Sequence, residues 1–463
     1  MPDLESIPLA AGSLPFLGHG MRLLADPLRF IAALPAHGRL CRIQVGSMSI
    51  VIVSDPELTR TVLLDDKTFD RGGPLYDRSR EFAGDGIGTC PHRAHRRQRR
   101  LCRPSFRPDR LHGYADLMVT AIDDVLRHWS DGQVTDISSE MSRLTVRVAV
   151  RTMFSTALAE GLIEQIADDS AVLANTMFRR MVLPPSVNRL PTPGNRRYYQ
   201  ARSRMRGVAA QLIAQRRADN HDLGDLLSTL IAARDTASFG GRASFTDEEL
   251  VDQVFTFLFA GAETSASTLA WALYLISRNP EVEKQIHAEV DNVLNGATAR
   301  YADLPNLPVV NRIITETLRL YPAGWLLTRV VSTDTTLGGV RLPANTTVAL
   351  SPHLIHRRAD IYADPDEFVP DRWIDHTPDT FTYLPFGAGA RRCIGDRFGL
   401  IETGLALATI TARWRLATDS TKPVAPSLKH LPAPRKLRLR TVQRQTVTAT
   451  TGSRSIAHVA ESR

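Results

Sequence analysis

Cys393 has the most chemically pointed surroundings in the chain, within Phe386-Gly-Ala-Gly-Ala-Arg-Arg-Cys393-Ile-Gly395. Glycines at 387, 389 and 395 permit a tight loop whose backbone can approach a flat ligand closely. An apolar run of helical character follows, so the cysteine sits where a helix begins. Amide N–H groups and the helix dipole at such a point favour thiolate over thiol. A phosphate-cradling loop is the competing reading, but the third glycine of G-x-G-x-x-G is missing and no Gly-Lys-Ser/Thr follows. The bland reading is an inert cysteine in a turn. A second group is Ala260-Gly-Ala-Glu263-Thr264, an acid beside a hydroxyl, which is what handling protons requires. There Gly261 costs about 0.5–1 kcal/mol against Ala within a helix, so it wants a packing reason. Small residues would let a ligand lie against the backbone, although a close helix crossing explains them equally well. Thr264 is placed to bond the Ala260 carbonyl and open the helix slightly.

These residues need rigid elements to hold them. Thr246-Asp-Glu-Glu249 has the form of a capping box, and a helical pattern runs from it to Arg278, ahead of Asn279-Pro280. Such a helix is roughly 48 Å long, enough to cross a molecule of this size. From Val254 to Ala262 it is apolar on nearly every side and is expected to be buried. His95 and Arg99, in the run His95-Arg-Arg-Gln-Arg-Arg100, lie one turn apart on another helix. A solvated basic face is the bland reading of that run, and no interleaved aromatics support nucleic-acid binding. Glu316 and Arg319 share a helix face at i, i+3, and as an exposed pair would contribute only about 0.2–0.5 kcal/mol. Strand-like pieces are Leu40–Val45, Ser49–Val53, Thr328–Val340 and Thr346–Leu350. Four prolines in LPPSVNRLPTPGNRRYY interrupt the helical middle of the chain.

The 463 residues are 43% hydrophobic and 23% charged, as in an ordinary globular protein with a sizeable core. Cys41, Cys90, Cys102 and Cys393 include no C-x-x-C pair, which argues against a disulfide framework or structural zinc. Only five of the 57 basic residues are lysine, so the net charge of +8 reflects an arginine bias that fits a GC-rich genome. Excess positive charge still suits an acidic protein partner. Pro8, Gly12, Pro15, Gly18 and Gly20 break every apolar run near the start, so no membrane anchor and a cytoplasmic location are expected. Residues 1–444 are expected to form one domain, with a disordered polar tail over 445–463.

The Cys393 stretch resembles, position for position, the haem-binding signature of the cytochrome P-450 family, F-G-x-G-x-R-x-C-x-G. Ala260-Gly-Ala-Glu-Thr264 resembles the family's A-G-x-[DE]-T, and Phe368-Val-Pro-Asp-Arg372-Trp373 its F-x-P-x-R-[FW] element. The resemblance implies a mainly α fold with small β-sheets, with haem between the long central helix and the Cys-bearing loop. It implies Cys393 as the axial thiolate of the iron, Phe386 packed beneath the haem, and Ala260 and Gly261 against its face. By the same resemblance His95, Arg99, Arg329 and Arg391 bind propionates, and Glu263 and Thr264 deliver protons during dioxygen activation. Glu316, Arg319 and Arg372 become a structural cluster that locks the segment before the Cys loop. The lead-in Cys-Pro-His92-Arg93-Ala departs from the family pattern.

The implied activity is monooxygenation with haem b, O2 as cosubstrate, and electrons from NAD(P)H. No flavin or iron–sulfur motif occurs in the chain, so a separate ferredoxin and ferredoxin reductase are expected, serving a monomer. The stretches SLPFLGHG, HRRQRRLCRPSF, FRRMVLPPSVNRLPTPGNRRY and PAGWLLTR resemble actinobacterial sesquiterpene oxidases of that family. Phe257, Ala260, Trp325 and Leu326 are expected to line an apolar substrate pocket. Another natural product (polyketide, steroid or fatty acid) is the alternative substrate. A peroxide-driven haem enzyme and a non-turnover haem sensor are the alternative classes. Neither needs an intact Glu263-Thr264 pair.

Overall fold

A computed structural model describes residues 2–445 except 156–157, 220, 236–243, 376, 419 and 429–430. Most of the polar tail expected after 444 therefore lies outside the described residues. Five strands form the largest sheet: β1 (Leu40–Val45), β2 (Met48–Val53), β3 (Phe69–Asp70), β4 (Leu327–Val331) and β5 (Thr347–Leu350), in the order β1-β2-β5-β4-β3. The β-branched run of β2 lies inside the sheet, pairing antiparallel with β1 and parallel with the central β5, Ile50 opposite Thr347. Register across β4 and β5 sets Arg329 opposite Val348.

The helices used below are α1 (Gly20–Ala25), α2 (His92–Cys102), α3 (Ile137–Phe154), α4 (Glu160–Val182), α5 (Pro193–Asp219), α6 (Asp247–Arg278), α7 (Pro308–Leu320) and α8 (Asp396–Arg413). The 32-residue α6 starts and stops where its sequence signals lie. Thr246 Oγ1 accepts from the Glu249 amide at 3.2 Å, and Glu249 accepts from the Thr246 amide at 2.9 Å. From Ser265 to Ile276 every residue of α6 is buried. It packs most extensively against α3 and also against α5, α7 and α8, so one apolar cluster surrounds it. A second apolar cluster joins β1 and β2 to Leu23 of α1 and Trp325, and a third covers the remaining faces of the sheet. The prolines after Val182 end α4 and leave only a short helix, Pro185–Arg189, before α5 begins at Pro193.

Glu316 and Arg319 are not the exposed pair their spacing alone suggests. Both side chains are fully buried, joined at 2.8 Å, and Arg372 reaches the same carboxylate at 3.0 Å.

Candidate active site

The Cys393 loop runs from β-sheet contacts into α8. Its glycines answer to geometry: Gly387 and Gly389 have φ of 66° and 70°, and a Cβ at Gly389 would fall 2.1 Å from the Leu63 carbonyl oxygen. The Cys393 amide donates to the Phe386 carbonyl at 2.9 Å, closing the loop around the sulfur. Burial raises the Cys393 thiol, opposed by the Gly395 amide and by Arg99 and Arg71. Ligation to a metal would deprotonate this thiol outright.

A cavity of about 340 Å³ lies between this loop and α6. Cys393 and Phe386 form its floor side, and Phe257, Ala260, Gly261 and Thr264 face it from α6. Nothing lies within 4 Å of a Cβ built on Gly261, so that glycine opens the cavity and does not serve a helix crossing. Thr264 Oγ1 donates to the Ala260 carbonyl at 2.7 Å.

Basic residues also line the cavity, among them Arg71, His95, Arg99, Arg329 and Arg391. Arg329 is almost wholly buried, and burial lowers it to about 10. His95 is pushed down to about 3 by burial and then by Arg391, Arg71 and Arg99, so its imidazole is neutral. Burial alone would raise the Tyr76 phenol, but Arg71, Arg329 and Arg391 together hold it below its ordinary value. Buried His95 Nδ1, Arg71 Nε and Arg391 Nε have no hydrogen-bond partner. Unsatisfied buried donors beside several guanidinium groups suit a dianionic ligand edge. A flat slot with a thiol on one face and such an edge fits haem. Bound haem would supply the iron at which dioxygen is activated, with a thiolate favouring O–O cleavage.

The arginine assignments differ in detail. Arg391 already donates to the Cys90 carbonyl at 2.8 Å and to Asp70 at 2.8 Å, while its Nε makes no hydrogen bond and lies 3.8 Å from the Asp66 carboxylate. Arg99 donates to the Arg392 carbonyl at 2.7 Å. Arg71 was not foreseen, since Phe69-Asp70-Arg71 carries no spacing signal. It joins the edge because its guanidinium is held by the Gly88 carbonyl at 2.7 Å and the Arg391 carbonyl at 3.3 Å.

Glu263 does not face the cavity. Successive helical residues diverge by about 100°, so when Thr264 points at the cavity its neighbour cannot. Glu263 lies among buried groups against the Ser142 hydroxyl of α3, with Oε1 unpartnered. Burial raises its carboxyl to about 7, opposed by Ser142. Trp325 and Leu326 also require correction, because neither lines the cavity. The Trp325 ring meets Phe178 of α4 edge-on at 5.6 Å, and Leu326 packs against the same cluster. The chain turns at this point, so Ala323, Gly324 and Leu327 take the places facing the cavity.

Glu402 of α8 is a second buried acid the sequence did not flag. Burial raises it to about 8, opposed by a hydrogen bond from Ser265. Because its folded pKa exceeds the ordinary 4.5, its contribution to stability is fully present below that value and is lost as pH rises toward 8. The loss is on the order of several kcal/mol. Glu402→Gln should therefore raise the thermal midpoint of the holoprotein at about pH 9 and change it little at about pH 4. Parallel pH curves for the two proteins would contradict this.

On the outer side of the loop, Arg96, Arg103, Arg392 and Arg397 gather around Cys393, with Asp396 as the acid among the residues lining this surface. None of the described helices is long and apolar enough to cross a membrane.

A family model described as Cytochrome P450 matches residues 8–439. A pentalenene oxygenase of Streptomyces avermitilis is 42% identical, with 94% of this chain and 97% of that protein aligned. Cyclooctat-9-en-7-ol 5-monooxygenase of Streptomyces melanosporofaciens is 40% identical over 88% of this chain and 89% of its own. The crystal structure of the cytochrome P450DA haem domain superimposes with a TM-score of 0.85 and 27% identity, covering 95% of this chain and 98% of that one. With a family model matching nearly its whole length and relatives 40–42% identical, the chain belongs to the cytochrome P450 family of monooxygenases.

Proposed function

We propose that residues 1–444 form one catalytic domain that inserts an oxygen atom from O2 into a terpenoid, most closely a cyclic sesquiterpene. The observation that carries this reading is an apolar cavity in which Cys393 and Thr264 both appear, in a chain 42% identical to a pentalenene oxygenase. Haem b would be held by Cys393, and His95, Arg99, Arg329, Arg391 and Arg71 would pair with its carboxylates. Phe257, Ala260 and Gly261, with Ile87, Ala323 and Leu327, give the substrate an apolar wall. Such a wall supplies affinity through buried area and leaves the carbon attacked to fit.

The proton work falls to two residues with different duties. Thr264 holds a proton at Oγ1, facing the cavity and oriented by the Ala260 carbonyl. Glu263, on the neighbouring side of α6, holds a proton near neutral pH and replenishes it. Electrons come from NAD(P)H through a reductase and a ferredoxin, whose acidic surface suits the arginines around Cys393. The protein works as a cytoplasmic monomer.

Thr264→Ala should bind haem and substrate as before while diverting reducing equivalents to peroxide. Unchanged coupling of NAD(P)H consumption to product would leave Thr264 with a packing role only. The substrate class is tested by titrating the purified holoprotein with a ligand panel and reading the low- to high-spin shift of the haem. Cyclic sesquiterpenes should give the larger saturable shift and fatty acids a weaker one. Larger shifts from charged or sugar-bearing compounds would overturn the terpenoid reading.

A further inference from the structure

The Cys-Pro-His92 lead-in to α2 departs from the family pattern, and a carboxylate from another element compensates for it. α2 carries His95 and Arg99 to the cavity, yet its own start is poorly satisfied. Its N-cap is Pro91, which offers no side-chain acceptor, and its first turn opens with His92-Arg93 and contains no acid. Basic residues at the positive end of a helix dipole are unfavourable. Asp70, at the end of β3, supplies the missing acceptor and the missing anion. Both of its carboxylate oxygens accept from the His92 amide, at 3.0 and 2.9 Å. Asp66 adds a second carboxylate, 3.0 Å from His92 Nδ1.

The same Asp70 carboxylate holds other parts of the basic edge. Its Oδ1 accepts from Arg391 at 2.8 Å and from the Arg71 amide at 2.6 Å. Register between β3 and β4 sets Asp70 opposite Val330, the neighbour of Arg329. The Arg391 side chain is 1% exposed and that of Asp70 18%, so water screens this pair little. Burial lowers Arg391 and Arg71 lowers it further, while Cys90, Asp70 and Asp66 oppose both. Arg71, Arg99, Arg329 and Arg391 bring more positive charge to this edge than the carboxylate pair of a haem would match. Uncompensated buried charge is costly, and Asp70 lies where it offsets the excess.

We propose that Asp70 is a positioning residue for the cavity's basic edge: one anion that starts α2, orients Arg391, fixes the backbone of Arg71 and holds down the reduction potential of the haem. The proposal rests on the haem reading of the cavity. Asp70→Asn tests it in the purified holoprotein, because the amide keeps the size and an acceptor oxygen but removes the charge. Loss of a nearby anion favours the added electron, so spectroelectrochemical titration should give a higher midpoint potential. The rise should correspond to at least about a three-fold larger ferrous-to-ferric ratio at a fixed potential. Haem content should stay near that of the parent. Asp70→Ala, which removes the acceptors as well, should also lose haem to apomyoglobin at least about ten-fold faster. Asp66→Asn leaves the α2 start tied through Asp70 while removing a charge 3.8 Å from Arg391 Nε. Its potential should rise by less, and it keeps the test valid if Asp70→Asn folds poorly. A haem-replete Asp70→Asn with an unchanged or lower potential would leave Asp70 a structural tie and overturn the proposal. A parent that binds no haem would overturn the haem reading itself, an outcome that haem content reports separately.

Discussion

Glu316→Ala is expected to leave the chain barely able to fold, lowering stability by about 3–5 kcal/mol. The Glu316 carboxylate is wholly buried and accepts from Arg319 at 2.8 and 2.9 Å, from Arg372 Nε at 3.0 Å, from the Val369 amide at 3.0 Å and from Trp373 Nε1 at 2.9 Å. It thereby ties α7 to the segment that precedes the Cys393 loop. Truncation would strand the Arg319 guanidinium, itself completely buried, without a carboxylate, leaving it the carbonyls of His356, Pro365 and Glu367 and the Tyr362 ring. Removing one partner of a buried pair costs far more than the pair's net worth, because the remaining charge stays desolvated. Against a total stability of about 5–15 kcal/mol that loss is severe. Urea unfolding followed by fluorescence measures it. A midpoint change equivalent to less than about 1 kcal/mol would mean the cluster is dispensable, in the way exposed pairs are.

Cys393→Ser is expected to abolish turnover while leaving much of the haem bound. The two effects separate because different residues produce them. The sulfur that would ligate the iron belongs to one loop position, whereas the anionic edge of the haem would be met by Arg71, Arg99, Arg329, Arg391 and His95. Serine is close in size to cysteine, so the turn from Phe386 to the Cys393 amide should survive. Product formation should drop at least about a hundred-fold, since an alcohol cannot donate electron density as a thiolate does. Haem content after purification should fall much less. Retained turnover would show that the sulfur is not the working ligand.

The features readable in advance are those whose cause is local. The capping box at Thr246 and Glu249 fixes where α6 starts, and Asn279-Pro280 fixes where it stops. Glycine spacing announces the Cys393 loop, and the prolines after Val182 announce the break before α5. Features set by tertiary packing were not legible. Arg71 reaches the cavity edge only because the Gly88 and Arg391 carbonyls hold it there. Glu402 looks like any polar residue on a helix until Ser265 of α6 is packed against it. The place of Trp325 was misjudged because its alternative, a slot against Phe178, belongs to a helix nearly 150 residues earlier. Glu263 stands beside Thr264 in sequence but on a different side of α6, a distinction that helical geometry supplies and adjacency conceals.

The central claim, that Cys393 ligates haem iron as a thiolate, is tested most directly by the Soret band of the reduced, carbon monoxide-treated holoprotein. The parent chain should give the strongly red-shifted band of thiolate ligation, and Cys393→Ser should lose it while still binding carbon monoxide. A parent band at the position given by a neutral ligand, or a red-shifted band that persists in Cys393→Ser, would contradict the assignment.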